Sequence, residues 1–170
     1  MPMQNSEILI NAFRFIFLAL LQVLVLNHIN FLGFVNPYLY ILFIIVFPLS
    51  GNKSLLIFLS FLLGLSIDIF GDSGGVHAAA CVFIAYIRPA ILKFSFGVSY
   101  EYNMVKINKV PIAERLTYIS IMVLLHHIVL FTLEIFSFSH ILLLLKSTLF
   151  SGIFSIILVL CTLLLFSRER

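Results

Sequence analysis

Leu55-Leu-Ile-Phe-Leu-Ser-Phe-Leu-Leu-Gly64-Leu-Ser-Ile-Asp68-Ile-Phe70 is the stretch that decides how this chain folds. It is apolar enough to cross a bilayer as a helix, yet it carries one carboxylate near its end. An ionised group in hydrocarbon is costly, so Asp68 must face a bundle interior, a partner or a watery cavity, and such a residue is a functional candidate. Gly64 precedes it by about one helical turn, and the run leads into Gly71, Gly74 and Gly75.

The rest of the chain has the same character. Hydrophobic residues make up 62% and charged residues 10% of the 170 residues, and the mean hydropathy is +1.20. An ordinary soluble domain is far less apolar and more charged. No hydrophilic block is long enough for an appended catalytic unit, so residues 1–170 read as a single transmembrane domain. The net charge of +3 fits a lipid-headgroup role better than nucleic acid, because of where the cations fall. Cys81 and Cys161 lie within apolar runs and read as small hydrophobes, with neither a disulfide framework nor a CxxC pair.

Hydropathy predicts six helices in an all-α bundle, at about 8–26, 37–49, 54–70, 75–94, 116–136 and 141–166, judged against roughly 20 residues per crossing. The segment from Ile8 to Leu26 is too long for the core of a cleaved signal peptide and is read as a retained first span. The second helix is short: Asn36 is placed to cap it, Pro37 to take its first position, and Ser50-Gly51-Asn52 to end it. At about 1.5 Å per residue it covers only some 20 Å. It is therefore either a short span or one arm of a re-entrant hairpin with the third helix.

Six helices place Arg14, Lys53, Arg88, Lys93, Lys106, Lys109, Arg115, Arg168 and Arg170 on one side, leaving Lys146 on the other. Cytoplasmic loops are the Lys- and Arg-rich ones, so both termini are expected in the cytoplasm. A re-entrant hairpin would bury Lys53 at its tip, which favours a full crossing. The six tyrosines stand where interfacial aromatics often sit. The longest connection, from Ser95 to Arg115, reads as a solvated loop touching anionic lipid or as a docking surface. There is no internal repeat of the kind many transporters show.

Small residues recur near four-residue spacing as Ser60, Gly64 and Asp68, as Ala78, Cys81 and Ala85, and as Ser147, Ser151 and Ser155 beside Gly152. Such stripes let helix backbones approach closely, within one bundle or against another protein's helix. On this topology Asp68, Asp72, Glu134, His28, His77, His140 and Lys146 share the outer side. A Lys146 pair with Asp68 or Glu134 would lower the cost of burying either carboxylate. His126 and His127 lie mid-helix, with Glu134 about two turns on and closest in face to His127. No two histidines have the i, i+3 or i, i+4 spacing of a helical metal site, so no metal or cofactor is expected and the pair reads as hydrogen-bonding glue, with a proton relay as the alternative. Arg14 should snorkel to the surface and Gln22 should find an interhelical partner.

The stretch Gly64-Leu-Ser-Ile-Asp68-Ile-Phe-Gly71-Asp-Ser-Gly74-Gly75-Val-His-Ala78, followed by a helix with Tyr86 and Arg88, resembles the rod shape-determining protein MreD family. The likeness extends more loosely to His126, His127 and Glu134. It implies a non-enzymatic scaffold of the bacterial cell-elongation machinery, in the cytoplasmic membrane with MreC, MreB, RodA and a class B penicillin-binding transpeptidase. It further implies a fold similar to the substrate-binding subunits of energy-coupling-factor vitamin transporters. Those subunits carry an alanine-x-x-x-alanine docking stripe on their first helix, whereas here Ala12 is followed by Ile16 and Ala19 by Val23. Two readings follow: a scaffold in which Gly64, Asp68 and the Gly71 to Gly75 turn shape a docking end, and a transporter subunit with a small-solute pocket there. The missing stripe and the absence of Trp favour the scaffold.

Overall fold

The computed structural model describes residues 5–49, 51–97, 110–136 and 140–167. They form six α-helices: α1 (Asn5–Leu24), α2 (Ile41–Val46), α3 (Lys53–Gly71), α4 (Val76–Phe96), α5 (Ile112–Ile135) and α6 (Ile141–Ser167). Among the described residues, five helices are long and apolar enough to cross a membrane, as in a multi-pass membrane protein. α3 and α4 form an antiparallel hairpin, α4 packs on α5, and α5 on α6. α1 lies against α3 and leaves Leu9, Phe13 and Ile16 facing outward. The connection at 98–109, with Glu101, Lys106 and Lys109, lies outside the described residues, as do Arg168 and Arg170.

The second crossing differs from the expected helix at 37–49. Only Ile41–Val46 is α-helical, and the chain before it is irregular. A tight turn joins Phe31 to Val35, with Leu32 and Gly33 at φ 56° and 79°. Asn36 precedes Pro37, and a residue before proline is biased away from the helical region. Pro37 therefore does not open a helix, and Asn36 does not cap one.

This segment still traverses the bundle. Asn27, at the end of the first span, lies beside Gly71 at the end of α3. Phe47, Pro48 and Gly51 line a small cavity with Ala85, Arg88 and Leu92 of α4, beside Lys53 at the start of α3. The chain has thus passed from one end of α3 to the other, so the re-entrant alternative does not hold.

Irregular backbone at membrane depth survives only when protein satisfies its polar groups. Ser151 Oγ accepts from Asn36 N at 3.1 Å and Ser155 Oγ from Tyr38 N at 2.9 Å. Gln22 Oε1 accepts from Leu39 N at 3.0 Å, while Gln22 Nε2 donates to Pro37 O at 3.0 Å. The spacing explains the match: four residues of helix rise about 6 Å, and two of extended chain about 6.6 Å. Ser151 and Ser155 of the α6 stripe form a ladder for the irregular chain, and Ser155 also bonds His127 of α5.

α2 then sits at the centre, with Ile41, Phe43, Ile44 and Ile45 at most 1% exposed. A helix that is apolar all round has to be buried on all sides. It ends at Phe47, which is extended ahead of Pro48. Arg88, 4% exposed, donates through Nη2 to Ile45 O and Phe47 O and through Nε to Tyr118 Oη. A cation at the carbonyl end of a helix is favourably placed, so Arg88 anchors α2 rather than lying at a surface.

Candidate functional site

The glycine-rich segment builds a rigid fixture between α3 and α4. Gly75 stands at the N-cap of α4 with φ 93° and offers no side chain to the helix's first amides. Asp68, on the preceding helix, replaces the missing cap. Its Oδ1 accepts from Ser73 Oγ at 2.6 Å and His77 N at 3.1 Å, and its Oδ2 accepts from Ala78 N at 2.8 Å. These bonds satisfy two otherwise orphaned amides and set a negative charge at the positive pole of α4.

The four glycines do different things. A Cβ on Gly64 would stand 2.5 Å from Ala78 Cα and 2.6 Å from both Ala78 N and His77 C, so only glycine lets the first turn of α4 come within reach of Asp68. Gly74 and Gly75 hold φ of 66° and 93°, where side chains are strained. Gly71 has neither constraint: a Cβ there would meet Ser73 Oγ at 3.6 Å and Asn27 Nδ2 at 3.9 Å.

Beneath this fixture lies a polar centre that also connects four parts of the chain. Tyr40 Oη is 2.8 Å from His77 Nδ1 and 2.9 Å from His126 Nε2. One phenol has a single proton, so one histidine accepts from it while the other donates to it. His126 Nδ1 is buried without a partner, and a bare acceptor there costs less than an orphaned N–H. The favoured order is therefore His126 Nε2–H to Tyr40 oxygen, and Tyr40 O–H to His77 Nδ1. His127 is fixed separately: Nδ1 must donate to Val123 O at 2.8 Å, which leaves Nε2 to accept from Ser155 Oγ at 3.2 Å. Tyr38 packs its ring against His77, His126, His127 and Phe131 at centroid distances of 5.5, 6.5, 5.3 and 6.2 Å.

The structure thus brings Gly64, Asp68, Gly71, Gly74 and Gly75 together, and places His127 one layer below them. It leaves Glu134 and Lys146 on the exposed surface. The pairing of Lys146 with Asp68 or Glu134 does not form: the oxygens of Asp68 are taken by Ser73 and α4, and a turn's own amides supply the compensation a cation would have given. Glu134 does not reach His127, because burial of the ring on Ser155 and Val123 turns it into the bundle. Arg14 is exposed, whereas Gln22 bonds the irregular crossing rather than a helix.

Tyr38 and Tyr40, which the sequence reading set at interfaces, and Arg88, which it counted only among the cations of the basic side, are the further participants. The signal available was Asn36-Pro37 in a span too short to cross as a helix. Among the described residues, no three His, Cys, Asp or Glu side chains gather closely enough to hold a metal ion. Charge is unevenly divided between the ends: Lys53, Arg88, Lys93 and Arg115 belong to one, with Glu114, and Asp68, Asp72 and Glu134 to the other, with Lys146. No protein-family model, curated protein or solved structure matches this chain.

Proposed function

We propose that this chain is a non-enzymatic membrane scaffold of the MreD type, acting in the bacterial cell-elongation machinery by binding MreC and linking it to MreB, RodA and a class B penicillin-binding transpeptidase. One observation carries the reading: in the Gly64 to Ala78 segment, in which the resemblance lies, Gly64, Asp68, Gly74 and Gly75 shape the end of the α3–α4 hairpin. Asp68 spends both oxygens on backbone and Ser73 contacts, which suits a rigid docking end and leaves no free base. On this reading the basic end faces the cytoplasm of the inner membrane, both termini with it.

The alternative is a vitamin-type binding subunit of a transporter. Interrupted crossings do line substrate sites in transporters, and the second crossing here is interrupted. Its polar centre, however, is filled by the packed rings of Tyr38 and Tyr40, which are 4% and 0% exposed.

Co-purification separates the two. Tagged protein expressed in a rod-shaped bacterium should bring down MreC, and loss of the protein should round the cells. Failure to retain MreC, together with saturable tight binding of a vitamin by the purified protein, would sink the scaffold reading in favour of the other.

A further inference from the structure

Two arginines are buried among the described residues, Arg88 and Arg115. Arg88 spends its guanidinium on α2. Arg115 is 7% exposed, its Nε is buried without a hydrogen-bond partner, and no described carboxylate pairs with it. A guanidinium withdrawn from water without a counter-charge is strongly disfavoured. It therefore calls for an anion, and no described residue supplies one.

Its position says what kind. Arg115 stands in the first turn of α5, and helical side chains lean toward the N-terminus of their own helix. Pro111, at the N-cap, gives the first amides of α5 no side-chain hydrogen bond, and amides at a helix start are ready donors to an anion. The positive pole of the helix and the guanidinium thus occupy one place, which is favourable only around an anion. Glu114 lies in the same turn but is exposed, about 100° further round the helix. Thr117 Oγ1 is turned back on Ala113 O at 2.9 Å.

Depth narrows the source. α5 has 24 residues, or about 36 Å, against roughly 30 Å of hydrocarbon, so its first turn reaches the headgroup layer. Lys53 and Lys93 are exposed at the same end of the bundle, where Phe96 and Tyr118 join α4 to α5 with ring centroids 5.4 Å apart. We propose that Arg115 and the first turn of α5 bind the phosphate of a phospholipid headgroup from the leaflet at this basic end. The guanidinium fork engages two phosphate oxygens and the helix amides the third.

Thermal unfolding of the full-length protein in maltoside micelles, titrated with dioleoylphosphatidylglycerol, dioleoylglycerol or inorganic phosphate, tests the site. Phosphatidylglycerol should raise the melting temperature saturably, while dioleoylglycerol, with the same acyl chains and no phosphate, should not. Arg115→Gln should weaken the phosphatidylglycerol response about tenfold or more, and Lys53→Gln should leave it unchanged. If Arg115→Gln does not fold, Arg115→Lys, which keeps the charge and loses the fork, should still weaken it. Equal stabilisation by dioleoylglycerol, an unchanged response in the Arg115 variants, or an equal loss in Lys53→Gln each overturns the proposal. Full stabilisation by inorganic phosphate would give the site to a free anion, and no response to any phosphate compound would give it to a protein carboxylate; both overturn the lipid assignment.

Discussion

Gly64→Ala adds one methyl where the structure has no room for it. The new Cβ would lie 2.5 Å from Ala78 Cα, against an optimal carbon separation of about 3.5–4.0 Å. The obstacle is backbone, not a side chain that can rotate, so the first turn of α4 has to retreat by roughly 1 Å. That retreat stretches the bonds from Asp68 to His77 N and Ala78 N, now 3.1 and 2.8 Å, beyond useful length. Overpacking costs about 1–3 kcal/mol, and each bond lost inside a membrane bundle about 0.6–1.7 kcal/mol. Alanine recovers about 1 kcal/mol through its helix propensity. The net loss is about 1–5 kcal/mol. Reversible unfolding by dodecyl sulfate in mixed micelles, followed by circular dichroism, measures it. Asp68→Leu removes the same cap from the other side, so the double variant should lose at least about 1 kcal/mol less than the two single losses added together. A Gly64→Ala protein within about 0.5 kcal/mol of the parent, or strictly additive losses, would refute the coupling of close approach to capping.

Three further changes probe the interior with the same unfolding assay. Tyr40→Phe strips the hydroxyl shared by His77 and His126 and should cost about 1–2 kcal/mol; unchanged stability would mean that the bridge carries no load. Arg88→Met leaves the end of α2 and the Tyr118 hydroxyl without their donor and should cost about 2–4 kcal/mol. The irregular crossing should also become protease-sensitive near Gly51, and an intact cleavage pattern would count against Arg88 as its anchor. Lys146→Met should stay within about 0.5 kcal/mol of the parent, because the side chain is exposed, and a larger loss would restore the pairing with Asp68 or Glu134.

The long helices were legible because hydropathy over a full span is a strong signal and needs no tertiary context. α3 was expected at about 54–70 and runs Lys53–Gly71. The importance of Asp68 was legible too, since a carboxylate in an apolar run must be compensated. Its compensator was not, because backbone amides leave no mark in a sequence and Lys146 does. The second crossing was misread for a related reason. Apolar residues at 39–47 satisfy a helix and a buried irregular segment equally, and only Pro37 and the short length told them apart. Ser151 and Ser155 carried the pattern of a packing stripe; their use as a ladder depends on a chain more than a hundred positions away in sequence.

The irregular crossing also bears on what the bundle is able to do. Alternating access in transporters moves one group of helices against another around a central site. Here Asn36, Tyr38 and Leu39 are tied to α6 and α1, Tyr40 to α4 and α5, and the end of α2 to α4 and α5 through Arg88 and Tyr118. Any sliding of these helices breaks several buried bonds together, and each group left bare in the interior costs about 1–3 kcal/mol. The crossing is hydrogen-bonded to α1, α4, α5 and α6, and α3 is held to α4 through Asp68. A bundle cross-tied in this way is suited to presenting a fixed surface, and that property favours assembly over transport.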